Sequence, residues 1–441
     1  MKAAVAVLLC VSLEGQQASP TPAQAAGAAE IARAADPSDC VRALQTFVAM
    51  RALEVRPATG FTSELLRKVD EEKTALATTC IARFERSADP AVLPGLAELY
   101  VQAGLAGKAR ATIEAALAAQ LPAPARAATL AAAITVGLRD PKSDARNARL
   151  ETLIDELDAN ASATFGQKWN AHASMASYYR GDDIDAGIIK HGRWMAAAAS
   201  TFTPEQRRMY GLRFVSSQVS VAEALAGQGM NDEALALLRK TGNAWKDLPR
   251  VEETYITPAI ERYALVGTAA TPVKASQWLN APSDMKEMPM TGAVTLLEFT
   301  AHWCGPCRES YPGVNRLRQQ FGAKGFRVVM ATRYWGYFAH DGGTDRDIPA
   351  TEEYKRDVEY FAGYHLDVPV AIGDLVSVKV VDGKVVYVPG PDPNDTAYKV
   401  SGIPQIHLID KHGRIRLIMI GYDDANEPKL AEMIAKLVAE S

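Results

Sequence analysis

Residues 294–307 read Val-Thr-Leu-Leu-Glu-Phe-Thr-Ala-His-Trp-Cys-Gly-Pro-Cys, a short apolar run that ends in two cysteines separated by two residues. The run from Val294 to Phe299 has the length and apolar content of a buried strand, and from Ser310 to Phe321 the apolar spacing is helical. The pair therefore sits where a strand gives way to a helix. Two cysteines at this spacing interconvert between dithiol and disulfide with little backbone movement, as thiol–disulfide exchange requires. Cys304 falls at the helix N-terminus, where unpaired N–H groups and the helix dipole favour a thiolate. Such positions bring a thiol from about 8.5 down to about 3.5–7.5. Pro306 falls in the first turn, where its missing N–H costs no hydrogen bond. Cys307, one turn further in, is the expected resolving thiol. Two other readings of the pair stay open, a static bridge and half of a zinc site. The second needs another Cys pair or a Cys/His pair at ligand spacing, which the chain lacks.

Around the pair, several further positions carry a family pattern. Glu298 stands six residues before Cys304, and Pro312 stands eight after it. Ser401-Gly402-Ile403-Pro404 precedes a second strand-like run, Gln405 to Ile409, and Gly421 follows the next one. On these residues the sequence resembles the thioredoxin superfamily, and Glu298–Cys304 is similar to the corresponding stretch of protein disulfide isomerase domains. The resemblance implies that Glu298 is a buried carboxyl that relays the resolving thiol's proton, with a raised pKa. The alternative is a solvent-facing glutamate on an edge strand. It also implies a cis peptide before Pro404, in a loop that offers backbone groups to a client strand. Trp303, Gly305, Pro306, Ile403 and Pro404 are then the expected client-binding residues. His302 borders the pair and is read as solvent-facing; His407 is read as an ordinary strand residue.

Within the superfamily, Gln277-Trp278-Leu279-Asn280 and Leu408-Ile409-Asp410-Lys411-His412-Gly413-Arg414-Ile415 resemble the TlpA-type extracytoplasmic reductases. The likeness covers residues 272–441. Relatives dedicated to cytochrome c maturation often carry a glutamate where this chain has Ser310, which weakens a role in haem attachment. The segment at about 375–395 reads as an insertion: two strand-like pieces flank Asp382-Gly383, a hairpin turn, and Pro389 to Asn394 reads as loop. Peroxidase chemistry, also found on this fold, places a threonine three residues before the reactive cysteine; here Thr300 is four before Cys304.

The remainder of the chain is of another kind. Residues 27–266 are alanine-rich and helical by spacing. Leu93, Leu96, Ala97 and Tyr100, a turn at Gly104, then Ala109, Ile113 and Ala116 resemble a tetratricopeptide unit. Val221, Ala222 and Leu225, Gly229, then Ala234 and Leu238 resemble another, about 125 residues on. That distance is no clean multiple of about 34 residues, so the array is irregular; Ala173–Tyr179 and Ile184–Trp194 form a degenerate third pair. Such an array offers a surface for clients or partners, with a plain scaffold or dimerisation role as the alternative. Residues 268–272 read as a short junction.

Composition and the first residues bear on location. Residues 1–25 read as a secretory signal: Lys2, an apolar run from Ala3 to Leu13, then small and polar residues. Cys10 is a poor lipoprotein signal. Past this segment four cysteines remain, and their even number suggests a structural Cys40–Cys80 bridge beside the redox pair; two unpaired buried cysteines are the alternative. A formal net charge of −4 argues against nucleic acid as a partner, and the seven histidines show no metal-ligand spacing. The expected architecture is an α+β multidomain chain: an N-terminal all-α helical-repeat region followed by an α/β thioredoxin-like fold. The expected activity is an exported, periplasmic or extracytoplasmic, protein-disulfide reductase. The Gly-Pro dipeptide between the cysteines is the one reducing thioredoxins carry. No cofactor beyond the Cys304–Cys307 disulfide is expected, and an upstream thiol donor is. A disulfide oxidase or isomerase, and a redox-gated interaction protein, are the alternatives.

Overall fold

The computed structural model describes residues 21–55, 63–87, 89–181, 185–340, 343–374, 377–381, 384–388, 392–422 and 426–440. Most of the expected signal segment, residues 1–20, lies outside them, as does the Asp382-Gly383 turn. The chain divides into two compact units, residues 1–171 and 172–441.

The first unit is all-helical: α1 (Pro22–Arg33), α2 (Pro37–Val55), α3 (Ser63–Phe84), α4 (Leu93–Gln102), α5 (Ala106–Ala118), α6 (Ala123–Gly137), α7 (Asp144–Ala159) and the start of α8 (Phe165–Gly181). Helix α1 begins in a capping box, with Thr21 and Gln24 satisfying each other's backbone N–H groups and Pro22 in the first turn. Residues 22–25, placed in the signal segment by sequence, are thus the first turn of a helix. Helices α4 and α5 form a hairpin whose turn residue, Gly104, has φ +72°, a left-handed conformation that suits glycine. Ala97, Ala109 and Ala116 are fully buried between neighbouring helices, where small side chains permit close approach. Cys40 in α2 and Cys80 in α3 are joined by a disulfide, and buried Arg51 of α2 ion-pairs with Glu72 of α3 at 2.8 Å.

The second unit starts inside α8 and continues through α9 (Asp185–Ala199), α10 (Pro204–Gly227), α11 (Asn231–Trp245) and α12 (Thr257–Tyr263) before any strand appears. Another capping box, Thr203 with Gln206, opens α10, and Gly229 at φ +81° turns the chain into α11. Strands and helices then follow as β1 (Val273–Lys274), β2 (Gln277–Leu279), β3 (Glu287–Met288), β4 (Val294–Phe299), α13 (Gly305–Phe321), β5 (Phe326–Arg333), β6 (Tyr337–His340), β7 (Gly343–Arg346), α14 (Ala350–Gly363), β8 (Val370–Gly373), β9 (Ser377–Val381), β10 (Lys384–Val388), α15 (Pro393–Ala397), β11 (Gln405–Ile409), β12 (Ile415–Ile420) and α16 (Glu427–Ala439).

Six strands form the main sheet in the order β12-β11-β4-β5-β8-β2. The β4–β5 and β5–β8 pairs are parallel, and β2, β11 and β12 pair antiparallel with their neighbours. Both faces are covered, which explains the unbroken apolar reading of β4: all six of its residues are buried. Leu296 belongs to the core on the α13 and α16 side, Leu297 and Phe299 to the core on the other. Strands β9 and β10 pair as a hairpin within the expected insertion. The reading of Pro389–Asn394 as loop is corrected at its end. Asp392 accepts the N–H groups of Asn394 and Asp395 and caps α15, with Pro393 in its first turn.

Sequence placed a junction at 268–272, whereas the compact unit already includes α9–α12. The contacts are specific. Lys429 of α16 pairs with Asp185 of α9 at 2.8 Å, and Gly267 donates its N–H to the Ile415 carbonyl of β12 at 2.7 Å.

Candidate redox site at the start of helix α13

Strand β4 ends at Phe299, and five residues later Cys304 is the N-cap of α13. Its Sγ accepts the backbone N–H of Cys307 at 3.1 Å, and Pro306 occupies the first turn after Gly305. Cys304 and Cys307 are joined by a disulfide; Cys307 is fully buried and Cys304 nearly so, beside an exposed Trp303. When the bond opens, a negative charge on Cys304 would face the unpaired donors of the helix N-terminus. Pro312 lies inside α13, where its ring removes the bond to the carbonyl four residues back.

Glu298 sits on the α13 side of β4, between Met330 of β5 and Ile406 of β11, so it is on an interior strand and fully buried. One carboxyl oxygen is 2.7 Å from the Ser310 hydroxyl, which is also 2.7 Å from the Cys307 carbonyl. The other oxygen has no partner among the described residues. Burial pushes the Glu298 carboxyl up to about 8, with the Ser310 hydroxyl pulling the other way. Ser310 has one proton and two acceptors within reach. With Glu298 protonated, its O–H donates to Ser310, which donates to Cys307; with Glu298 ionised, the Ser310 proton turns to the carboxylate.

The Ile403–Pro404 peptide is cis. Because Gln405 pairs with Phe299 in the antiparallel β11–β4 ladder, the 401–404 loop lies beside the end of β4 from which the Cys segment departs. The carbonyl of Pro404 accepts the N–H of Gly421, which has φ +84°, and Ile403 packs on both cores.

A buried carboxyl beneath a Cys-X-X-Cys helix start, a cis-proline beside it, and three central parallel strands flanked by antiparallel ones define the fold. The C-terminal part of the chain is a domain of thioredoxin-like fold.

His302 is not solvent-facing as its place in the sequence suggested. It is 2 % exposed, stacks on Phe338 at 4.4 Å, and its Nδ1 accepts the Ala339 N–H at 3.2 Å. The hairpin β6–β7, which follows β5, folds over it. Its Nε2 faces Glu353 of α14 at 3.8 Å, and burial lowers the imidazole to about 4, so the ring is neutral. Glu353 accepts the N–H groups of Trp335 and Gly336, and burial raises it to about 7; burial, then the Glu353 charge, raises Asp357 to about 8. Trp335 meets Trp303 edge-on at 5.1 Å and carries Arg333 over its ring. None of Trp335, Glu353 or Asp357 stood out in sequence, since no spacing rule ties them to the cysteines. His407 is fully buried in β11, 2.9 Å from the Gln405 side chain. Among the described residues no group of three His, Cys, Asp or Glu is placed to hold a metal, and no helix is long and apolar enough to cross a membrane.

No protein-family model matches the chain, and no curated protein sequence does. Solved structures do align with the thioredoxin-like domain. A candidate thiol:disulfide interchange protein DsbE from Chlorobium tepidum is 25% identical, over 40% of this chain and 98% of that one, at a TM-score of 0.28. The thioredoxin domain of a thiol-disulfide oxidoreductase from Bacteroides vulgatus is 17% identical over 39% of this chain and 97% of its own, at 0.27. A thiol:disulfide interchange protein from a Bacteroides species is 16% identical over 40% and 91%, at 0.26.

Proposed function

We propose that the protein is a thiol–disulfide oxidoreductase that reduces disulfides of client proteins. The observation that carries this reading is the Cys304–Cys307 disulfide at a helix N-terminus, above the buried Glu298 and beside the cis-Pro404 loop. In the dithiol form the Cys304 thiolate attacks one sulfur of a client disulfide. A Cys304–client bond forms, the client S–S bond breaks, and the client's other sulfur leaves as a thiolate that takes a proton from water. Cys307 then gives its proton to ionised Glu298 and attacks the Cys304 sulfur. The mixed bond breaks, the second client thiolate departs, and two electrons have passed to the client. An upstream thiol donor restores the dithiol.

Trp303 supplies an exposed apolar contact to the client, Gly305 and Pro306 keep the approach to Cys304 low, and Ile403 with Pro404 offers backbone for the client strand to pair with. A carboxyl with a pKa near 8 serves as both acceptor and donor close to neutrality, which suits a group that must exchange a proton in each direction. The Cys40–Cys80 bridge supports an oxidising, extracytoplasmic setting, where structural disulfides persist, and the helical region is the surface proposed to recruit clients.

The reduction potential of the Cys304/Cys307 pair in the full chain tests the direction. A value near about −270 mV supports the reductase; one between about −120 and −180 mV makes the protein a disulfide donor or isomerase instead.

A further inference from the structure

Helix α12, the last of the helical segment, touches the loop that carries the cis-proline. Arg262 of α12 is 4 % exposed, and its Nη1 donates to the Ser401 hydroxyl at 2.6 Å across a sequence separation of 139 residues. Its guanidinium lies over the Tyr263 ring at 4.9 Å, and its Nε has no hydrogen-bond partner among the described residues. The neighbouring Glu261 pairs with Lys399, two residues before Ser401, at 3.2 Å. Helix α12 therefore holds the entry to the loop by two polar contacts.

The loop is held from its other sides as well. Ser401 donates its N–H to the Gln405 side-chain oxygen at 3.2 Å, and the Gln405 amide nitrogen donates to the Tyr398 carbonyl at 3.2 Å. Gln405 pairs in turn with Phe299, at the end of the strand that leads to Cys304. A continuous chain of polar contacts thus runs from α12 through Ser401 and Gln405 to the segment bearing the cysteines. Burying a guanidinium costs free energy that simple helix-on-sheet packing does not require, since an apolar side chain would fill the space at less cost. What an arginine adds is a long, directional donor that fixes one oxygen of the loop.

We infer that Arg262 is a positioning residue for client docking: from α12 it sets the conformation of the 401–404 loop on which a client strand pairs. This rests on the proposed reading of that loop as a client-docking edge. The segment α9–α12 is then a working part of the thioredoxin-like domain as well as a link to what precedes it.

The test uses full-length R262A, R262K and S401A. Amide hydrogen exchange at residues 401–405 reports the loop directly, and steady-state reduction of insulin disulfides gives KM and kcat. R262A is expected to raise KM for insulin about tenfold, the loss of a charge-assisted hydrogen bond, while kcat falls less and the Cys304/Cys307 potential stays at its wild-type value. Exchange at 401–405 should accelerate, and R262K should recover part of both effects. Unchanged KM and exchange in a folded R262A would overturn the inference. So would a shift in potential with no change in KM, because Arg262 would then act on the thiols. Should R262A fail to fold by circular dichroism, S401A decides the matter, since it removes the partner hydroxyl and leaves α12 intact. Faster exchange in R262A, with a wild-type protein that reduces no insulin, keeps the brace and removes the reductase reading. Insulin reduction by wild type and R262A alike, with equal exchange, does the reverse.

Discussion

The two disulfides of this chain use the same bond for different ends. Cys40–Cys80 ties α2 to α3 across 40 residues, with both cysteines fully buried in an all-helical unit. Cys304–Cys307 spans three residues at the end of a central strand, with a backbone N–H on the first sulfur, an exposed tryptophan before it and a carboxyl raised to about 8 beneath it. Closing a long loop removes conformational freedom from the unfolded chain, whereas closing a short one removes little. The first bond is therefore suited to stability, and the second to exchange. Surroundings and loop length make that difference.

The sharpest way to break this contrast is to remove one sulfur of the short bridge. Cys304→Ser should bring insulin-disulfide turnover to background, and Cys307→Ser should accumulate a mixed disulfide with client visible by non-reducing mass spectrometry. Turnover surviving in Cys304→Ser would end the comparison. The long bridge should answer differently. Replacing Cys40 and Cys80 by serine should lower unfolding free energy by about 4 kcal/mol, the loop-entropy figure for a closure of this length, as read by denaturant titration. The potential of the other pair should not move.

A smaller effect is expected at Glu298. Glu298→Gln should slow the resolving step by about a hundredfold, the loss of one general acid–base group, measured by single-turnover kinetics. The same variant checks the pH dependence of stability. With a native pKa near 8 against about 4.3 unfolded, the folded state holds an extra proton between those values. The stability this contributes is complete below about pH 4.3 and is lost as pH rises through about 8. Glu298→Gln should therefore gain on the wild type as pH climbs through that window, and parallel stability curves would refute the buried-acid reading. Ser310→Ala should act least. It removes the hydroxyl that offsets burial at Glu298, so the pH midpoint of exchange should move to higher pH, with a smaller rate loss than Glu298→Gln.

Much of the thioredoxin-like domain was legible because its chemistry is local. A strand, two cysteines and a helix start fit within residues 294–321, and the Ser-Gly-Ile-Pro loop sits directly before a strand. The helical hairpins were legible for a similar reason, since Gly104 and Gly229 mark turns between alanine-bearing faces that pack a few residues away. His302 was misread because what buries it lies elsewhere: Phe338 and Ala339 in a hairpin past β5, and Glu353 on α14. The carboxyl at Glu298 was legible as a position, but its hydrogen bond to Ser310 follows from a turn of α13 coming back over β4.

By itself the sequence pointed to a kind of chemistry, since the signature of thiol exchange is two cysteines a helical turn apart and nothing more distant is needed to recognise it. It also determined that a helical region precedes a sheet. Only the tertiary structure decided where one compact unit ends and the next begins, and that α12 belongs with the sheet. The Arg262–Ser401 contact joins residues 139 apart in the chain, and no local periodicity reports a hydrogen bond over that separation. Propensity and spacing are sums over neighbours, whereas a brace of this kind exists only once the intervening strands have folded.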